Sequence, residues 1–142
     1  MNDEITVLDF SQIKIGMEKK FRIVVTEYML ESFANLSGDY NPLHMNENYA
    51  TNTSFRKRIC HGMLLSSFLS RLVGMYLPGQ NALYISQSLK FHSPCFVNDK
   101  ITIIGKVVSK SESTHIITLK TIIVNESGNC LVDGEAKVLL RE

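Results

Sequence analysis

A chain of 142 residues with 44% hydrophobic and 20% charged side chains has the make-up of one ordinary soluble globular domain, which excludes disordered and fibrous classes. Its formal net charge of +1 gives no footprint for nucleic acid, and no apolar run reaches the ~18 residues that span a bilayer. The three cysteines, Cys60, Cys95 and Cys130, make neither a disulfide framework nor a zinc-ligand spacing; with the acidic start Met1-Asn2-Asp3-Glu4, they predict a cytoplasmic protein without a metal site.

Residues 4–16 read as an irregular lead-in. Lys20 to Thr26 then has the β-branched and aromatic content of a strand, and Thr26 can cap a helix over Glu27 to Leu36, whose apolar residues recur at helical spacing. Gly38 ends that helix. The next segment, Asp39-Tyr40-Asn41-Pro42-Leu43-His44, is too rich in Asn and Pro for regular structure, and Pro42 drives Asn41 towards extended angles. An ordered loop carrying a carboxylate and an imidazole can hold one water between them and move its proton. The same residue types also suit a hydrogen-bonded turn, with Asp39 and Asn41 bonding to nearby backbone.

A short helix over Asn46 to Ala50 is expected next, and then the basic cluster Arg56, Lys57 and Arg58, which suits either solvent or an acidic ligand such as coenzyme phosphates. From Gly62 to Leu77 apolar side chains cover more than one stripe, which predicts a helix wrapped on most sides. His61 and Gly62 would stand at its start, where free backbone N–H groups suit a developing oxyanion; His61 equally suits a cap or a satisfied core histidine. Pro78-Gly79 breaks the helix, and the period changes to two. Strands are predicted over Leu83 to His92, Ile101 to Ser109, His115 to Val124 and Leu131 to Leu140, with an interruption near Pro94 and a hairpin turn at Asn125 to Asn129. This order defines an α+β domain, a long helix laid against an antiparallel sheet. His92 and His115 fall inside strands and read as surface or structural. Signatures of serine hydrolases, P-loops, dinucleotide-binding folds and zincins are absent from the sequence.

Taken together, Phe33-Ala34, Leu36-Ser37-Gly38-Asp39, Asn41-Pro42-Leu43-His44, Tyr49-Ala50, Phe55 and Ile59 with His61-Gly62-Met63-Leu64 resemble the signature of MaoC-like hot-dog dehydratases, specifically (R)-specific enoyl-CoA hydratases. Leu77-Pro78-Gly79, Ser86-Gln87, Phe91 and Phe96-Val97 extend the resemblance over roughly residues 12–140. It implies a hot-dog fold with a central helix wrapped by a curved antiparallel sheet, spanning residues 1–142 as one domain. The implied activity is reversible hydration of a trans-2-enoyl-CoA to an (R)-3-hydroxyacyl-CoA. Asp39 would be the acid/base, His44 would orient the water, Gly62 N–H would polarise the thioester carbonyl beside His61, Ser67 would stand near the reacting centre and Asn41 would brace the loop. Arg56, Lys57 and Arg58 would meet the coenzyme or a carrier protein, while Arg58 and Cys60, which depart from the family's usual residues, would shape the tunnel mouth. No cofactor is implied, and the subunits would pair into a homodimer. Two alternatives share the resemblance: a 3-hydroxyacyl dehydratase acting on acyl carrier protein substrates, and a hot-dog module that binds acyl thioesters without turnover.

Overall fold

The computed structural model describes residues 4–142; residues 1–3 of the acidic start lie outside it. Its elements are a 3-10 turn at Phe10–Gln12, strand β1 (Glu18–Val24), helices α1 (Glu27–Ser37), α2 (Pro42–Met45), α3 (Glu47–Thr51) and α4 (Gly62–Arg71), a π-helical extension Leu72–Tyr76, and strands β2 (Ala82–Gln87), β3 (Lys90–Phe91), β4 (Lys100–Lys110), β5 (Ile116–Asn125) and β6 (Cys130–Leu140). The strands form one antiparallel sheet in the order β1-β4-β5-β6-β2, with β3 also pairing with β6. The α+β hot-dog architecture expected from the sequence is the one found.

Alternation explains the core. Ile101, Ile103 and Val107 of β4, Ile117, Leu119 and Ile123 of β5, and Val132, Ala136 and Val138 of β6 are buried on the face that meets the helix. That face holds two apolar clusters. Leu64, Leu65, Leu69 and Leu72 anchor one together with Leu30 of α1; Val73 and Leu77 anchor the other with Phe10 and Ile13. The central helix therefore runs across both, and its position is fixed at each end. Truncating a fully buried leucine such as Leu72 to alanine would cost about 2–5 kcal/mol.

Several boundaries differ from expectation for local reasons. Thr26 is not part of β1; its Oγ accepts from Met29 N–H (3.3 Å) and caps α1, which Gly38 closes with a left-handed φ of 81° and an N–H bond to Ala34 O (2.8 Å). The segment after Asp39, expected to be irregular, folds into α2. Asn41 is extended as Pro42 requires, yet its side chain accepts from Leu43 N–H (3.0 Å), and Pro42 at the first helical position carries the φ a helix needs. The long helix ends in a wider π turn rather than as continuous α-helix. The strand expected over Leu83 to His92 is divided between β2 and β3, with a bulge between Tyr84 and Ser86. His92 and His115 lie just outside strands, and His115 stacks on Phe10 at 4.4 Å between ring centroids. The hairpin at Asn125 is as expected, with its side chain accepting from Ser127 and Asn129 N–H.

Candidate active site

Capping and turn chemistry bring the acid/base candidates together. Gly38 and α2 bound a short connection in which Asp39 N–H donates to Ser37 Oγ (3.1 Å) and Asn41 N–H donates to Asp39 Oδ1 (3.1 Å). Asp39 is thus held in a turn while its carboxylate stays exposed to solvent. The turn reading of Asp39 and Asn41 is correct as local structure, and it also fixes where the carboxylate stands.

His44, on α2, is half-buried. Its Nδ1 lies 2.8 Å from the main-chain oxygen of Ile59, which can only accept, so Nδ1 carries the proton and Nε2 keeps the lone pair. His61, the residue before α4, is 1% exposed and does not cap the helix with its side chain. Its Nε2–H donates to the main-chain oxygen of Asp39 (3.0 Å), while Nδ1 is buried and unpartnered among the described residues. Its ring lies 4.2 Å from that of His44 and meets Phe33 edge-on at 4.9 Å. Burial, reinforced by the neighbouring His44, pushes the His61 imidazole below its ordinary pKa. His61 is therefore a neutral core histidine that ties two segments together.

One carboxylate oxygen of Asp39 and one ring nitrogen each of His44 and His61 lie within 4.8 Å of one another. Such a triangle has room for a single water or cation at hydrogen-bond or ligand distance.

Beside this cluster opens a cavity of about 370 Å³ whose lining includes His44, Ile59, Cys60, Gly62, Leu65 and Phe91. Gly62 N–H, at the first position of α4, has no acceptor within the helix and carries the positive end of its dipole. A β-carbon at Gly62 would stand 2.7 Å from the Phe91 ring, so only glycine lets the ring and the helix start approach this closely. The opposite wall is pinned by Cys60 N–H donating to Cys95 O (2.7 Å), next to an isolated bridge between Ile59 and Phe96.

Not every residue expected at the site is brought to it. Ser67 lies on the exposed side of α4 and donates back to Leu64 O (2.6 Å); it does not line the cavity, although Met63, one turn earlier, does. Arg58 is taken up by an ion-paired bridge, Nη2 to Glu27 (2.6 Å) and Nε to Glu47 (3.0 Å), with only 12% of its side chain exposed. Lys57 rests over the Phe96 ring at 4.4 Å, and Arg56 is exposed. Conversely, Phe91, His92, Ser93, Pro94, Cys95 and Leu131 contribute an unanticipated wall. Its traces in the sequence are the interruption at Pro94 and the place of Phe91 in the family resemblance.

A carboxylate and two imidazoles within 4.8 Å of one another, with His44 also lining an apolar cavity at the N-terminus of α4, stand on a hot-dog fold, a helix laid against an antiparallel sheet. A model of the MaoC-like domain matches residues 10–127, and the chain belongs to that family. It is 45% identical to the (R)-specific enoyl-CoA hydratase of Aeromonas caviae over 109 residues, 77% of this chain and 81% of the relative. It is also 36% identical to the (R)-specific enoyl-CoA hydratase of Rhodospirillum rubrum over 138 residues, 97% and 95% of the two chains. Among solved structures, unliganded R-hydratase PhaJ1 from Pseudomonas aeruginosa superposes with a TM-score of 0.93 at 30% identity, covering 99% of this chain and 90% of that one. Among the described residues, no helix is long and apolar enough to cross a membrane.

Proposed function

We propose that this chain is a hydro-lyase that adds water reversibly to trans-2-enoyl-CoA thioesters and forms the (R)-3-hydroxyacyl-CoA. The observation that carries the proposal is the cluster of Asp39 carboxylate, His44 and His61 nitrogens within 4.8 Å, whose member His44 lines a cavity together with Gly62, the first residue of α4.

The chemistry follows from which atoms remain free. His44 Nδ1 is committed to Ile59, so its Nε2 accepts one O–H of a water while the Asp39 carboxylate accepts the other. The water oxygen then has a lone pair free to attack C3. Gly62 N–H takes up the negative charge that develops on the thioester oxygen, a contribution of about 2.7–4 kcal/mol for one such donor. As the C3–O bond forms, the water's proton passes to the coupled carboxylate–imidazole pair, with Asp39 as principal acid/base, and the C2=C3 electron pair moves into the enolate. The enolate collapses by taking that proton at C2 on the same face, so the elements of water are added and the pair returns to its starting state. Positioned proton transfer of this kind is worth roughly 10²- to 10⁴-fold in rate. Asn41 braces the loop through its cap of α2. His61 holds the backbone of Asp39, and exposed Arg56 and Lys57 are the cations left to meet coenzyme phosphates once Arg58 is ion-paired.

The active form is a homodimer in the cytoplasm. Edge strand β2 presents Leu83 and Ile85 at 47% and 51% exposure, an apolar edge that a second copy would cover, and the three free cysteines suit a reducing compartment.

Parallel assays on the crotonyl thioesters of coenzyme A and of acyl carrier protein, with chiral analysis of the product, test the reading. Higher kcat/KM on the coenzyme A thioester with an (R)-3-hydroxy product is expected. Preference for the carrier protein would make the chain a 3-hydroxyacyl dehydratase of acyl chains on that carrier, and binding of both without turnover would make it an acyl-thioester-binding module.

A further inference from the structure

A second group of side chains with metal-binding chemistry stands outside the proposed reaction. His92, Cys130 and Asp133 bring an imidazole nitrogen, a thiol sulfur and a carboxylate oxygen within 4.8 Å of one another. His92 Nε2 and Asp133 Oδ1 are 3.0 Å apart. A tetrahedral zinc ion separates its nitrogen, oxygen and sulfur ligands by roughly 3.4–3.6 Å, so sub-ångström to ångström side-chain adjustments would seat one.

The backbone explains how residues so far apart in sequence converge. Cys130 and Asp133 are three positions apart on β6, which in a regular strand would send them to opposite faces. The ladder with β5 pairs Ile123 with Val132 and Val124 with Cys130, so Leu131 is an extra residue in a bulge. That bulge lets both side chains share a face. His92 N–H donates to the oxygen of the bulged Leu131 (2.9 Å), which delivers the imidazole to the same spot. The His92 and Asp133 side chains are 43% and 40% exposed, leaving a fourth coordination position open to water.

We propose that His92, Cys130 and Asp133 bind one borderline divalent cation, zinc above all, and that its presence stiffens the cavity wall to which His92 belongs. The donor set makes the choice of ion: thiolate and imidazole favour zinc over magnesium or calcium, which take oxygen ligands. On binding, the Cys130 thiol releases its proton to solvent, His92 turns the Nε2 lone pair to the metal with its proton on Nδ1, and the bond to Asp133 gives way to a shared cation. His92 also lines the cavity beside Gly62 and Phe91, so a fixed imidazole there alters how the acyl thioester enters. That last consequence rests on the hydratase reading; cation binding does not.

Equilibrium dialysis of the full chain against Zn²⁺, with an optical titration using Co²⁺, tests both parts. A thiolate-to-cobalt charge-transfer band that saturates at one equivalent per chain is expected. Cys130→Ser should abolish the band and weaken Zn²⁺ binding by at least about 10²-fold, given that even outer-shell changes cost 10- to 100-fold. Asp133→Asn should weaken it as well, whereas His44→Gln, which alters the other donor cluster, should leave the band intact. Circular dichroism confirms that each variant is folded. Absence of the band, or a band that survives Cys130→Ser, overturns the site. Zn²⁺ should raise KM for crotonyl-CoA in the parent chain and not in Cys130→Ser; an unchanged KM at full occupancy overturns the coupling to the cavity. A chain that binds zinc through Cys130 but hydrates nothing would overturn the hydratase reading alone.

Discussion

The Nε2–H of buried His61 donates to the main-chain oxygen of Asp39 across 22 residues of sequence, at 3.0 Å. This bond fastens the carboxylate-bearing turn to the start of α4, and it makes the turn sensitive to pH. Burial holds the folded-state pKa of His61 below its ordinary 6.5. Unfolded chains therefore take up a proton at this position that the native state refuses, and stability is lost as pH falls below 6.5 towards the folded value, with no such loss above it. Thermal unfolding should show a lower Tm near pH 5.5 than near pH 7.5, and His61→Gln, which removes the titration, should narrow that difference. An equal difference in both proteins would assign it to other groups.

Gly62→Ala should act through Phe91. The new methyl carbon would stand 2.7 Å from the ring, which must turn aside within the cavity and disturb both the thioester's path and the amide that faces it. A fall of about tenfold or more in kcat/KM is expected, the size of a partly misplaced oxyanion donor. Adding Phe91→Ala should recover part of the loss, and a double-mutant cycle on kcat/KM measures the coupling.

The basic cluster should divide by function. Arg58→Ala breaks two ion pairs whose acidic partners are largely exposed, and should lower stability by about 1 kcal/mol. Arg56→Ala should leave stability unchanged and raise KM for coenzyme A thioesters, more strongly at low ionic strength than at high. Urea unfolding and steady-state kinetics at two salt concentrations separate the two effects.

What could be read from the sequence was whatever depended on neighbours along the chain. The Thr26 cap, the stop at Gly38, the apolar run after Gly62 and the turn at Asn125 are local signals, and each stands within a residue or two of its expected place. Where a distant partner decides the outcome, no local signal reports it. Arg58 stands in a basic cluster that suits coenzyme phosphates, and its ion pairs are to Glu27 and Glu47, both distant from it in sequence. The family resemblance implies a place for Ser67 near the reacting centre, whereas packing of Leu64, Leu65 and Leu69 on the sheet sets the helical phase that turns it to solvent. The wall from Phe91 to Cys95 depends on cross-strand bonds to Leu131 and Cys60, and the grouping of His92 with Cys130 and Asp133 depends on a bulge. No spacing rule reports either of these.

The pairing of Asp39 with His44 carries the whole functional account, and single-residue replacement of each tests it most directly. With crotonyl-CoA as substrate, Asp39→Asn and His44→Gln should each lower kcat for hydration by at least about 10²-fold while the circular dichroism spectrum and Tm stay near those of the parent. A folded variant of either kind that keeps most of the parent's kcat would contradict it.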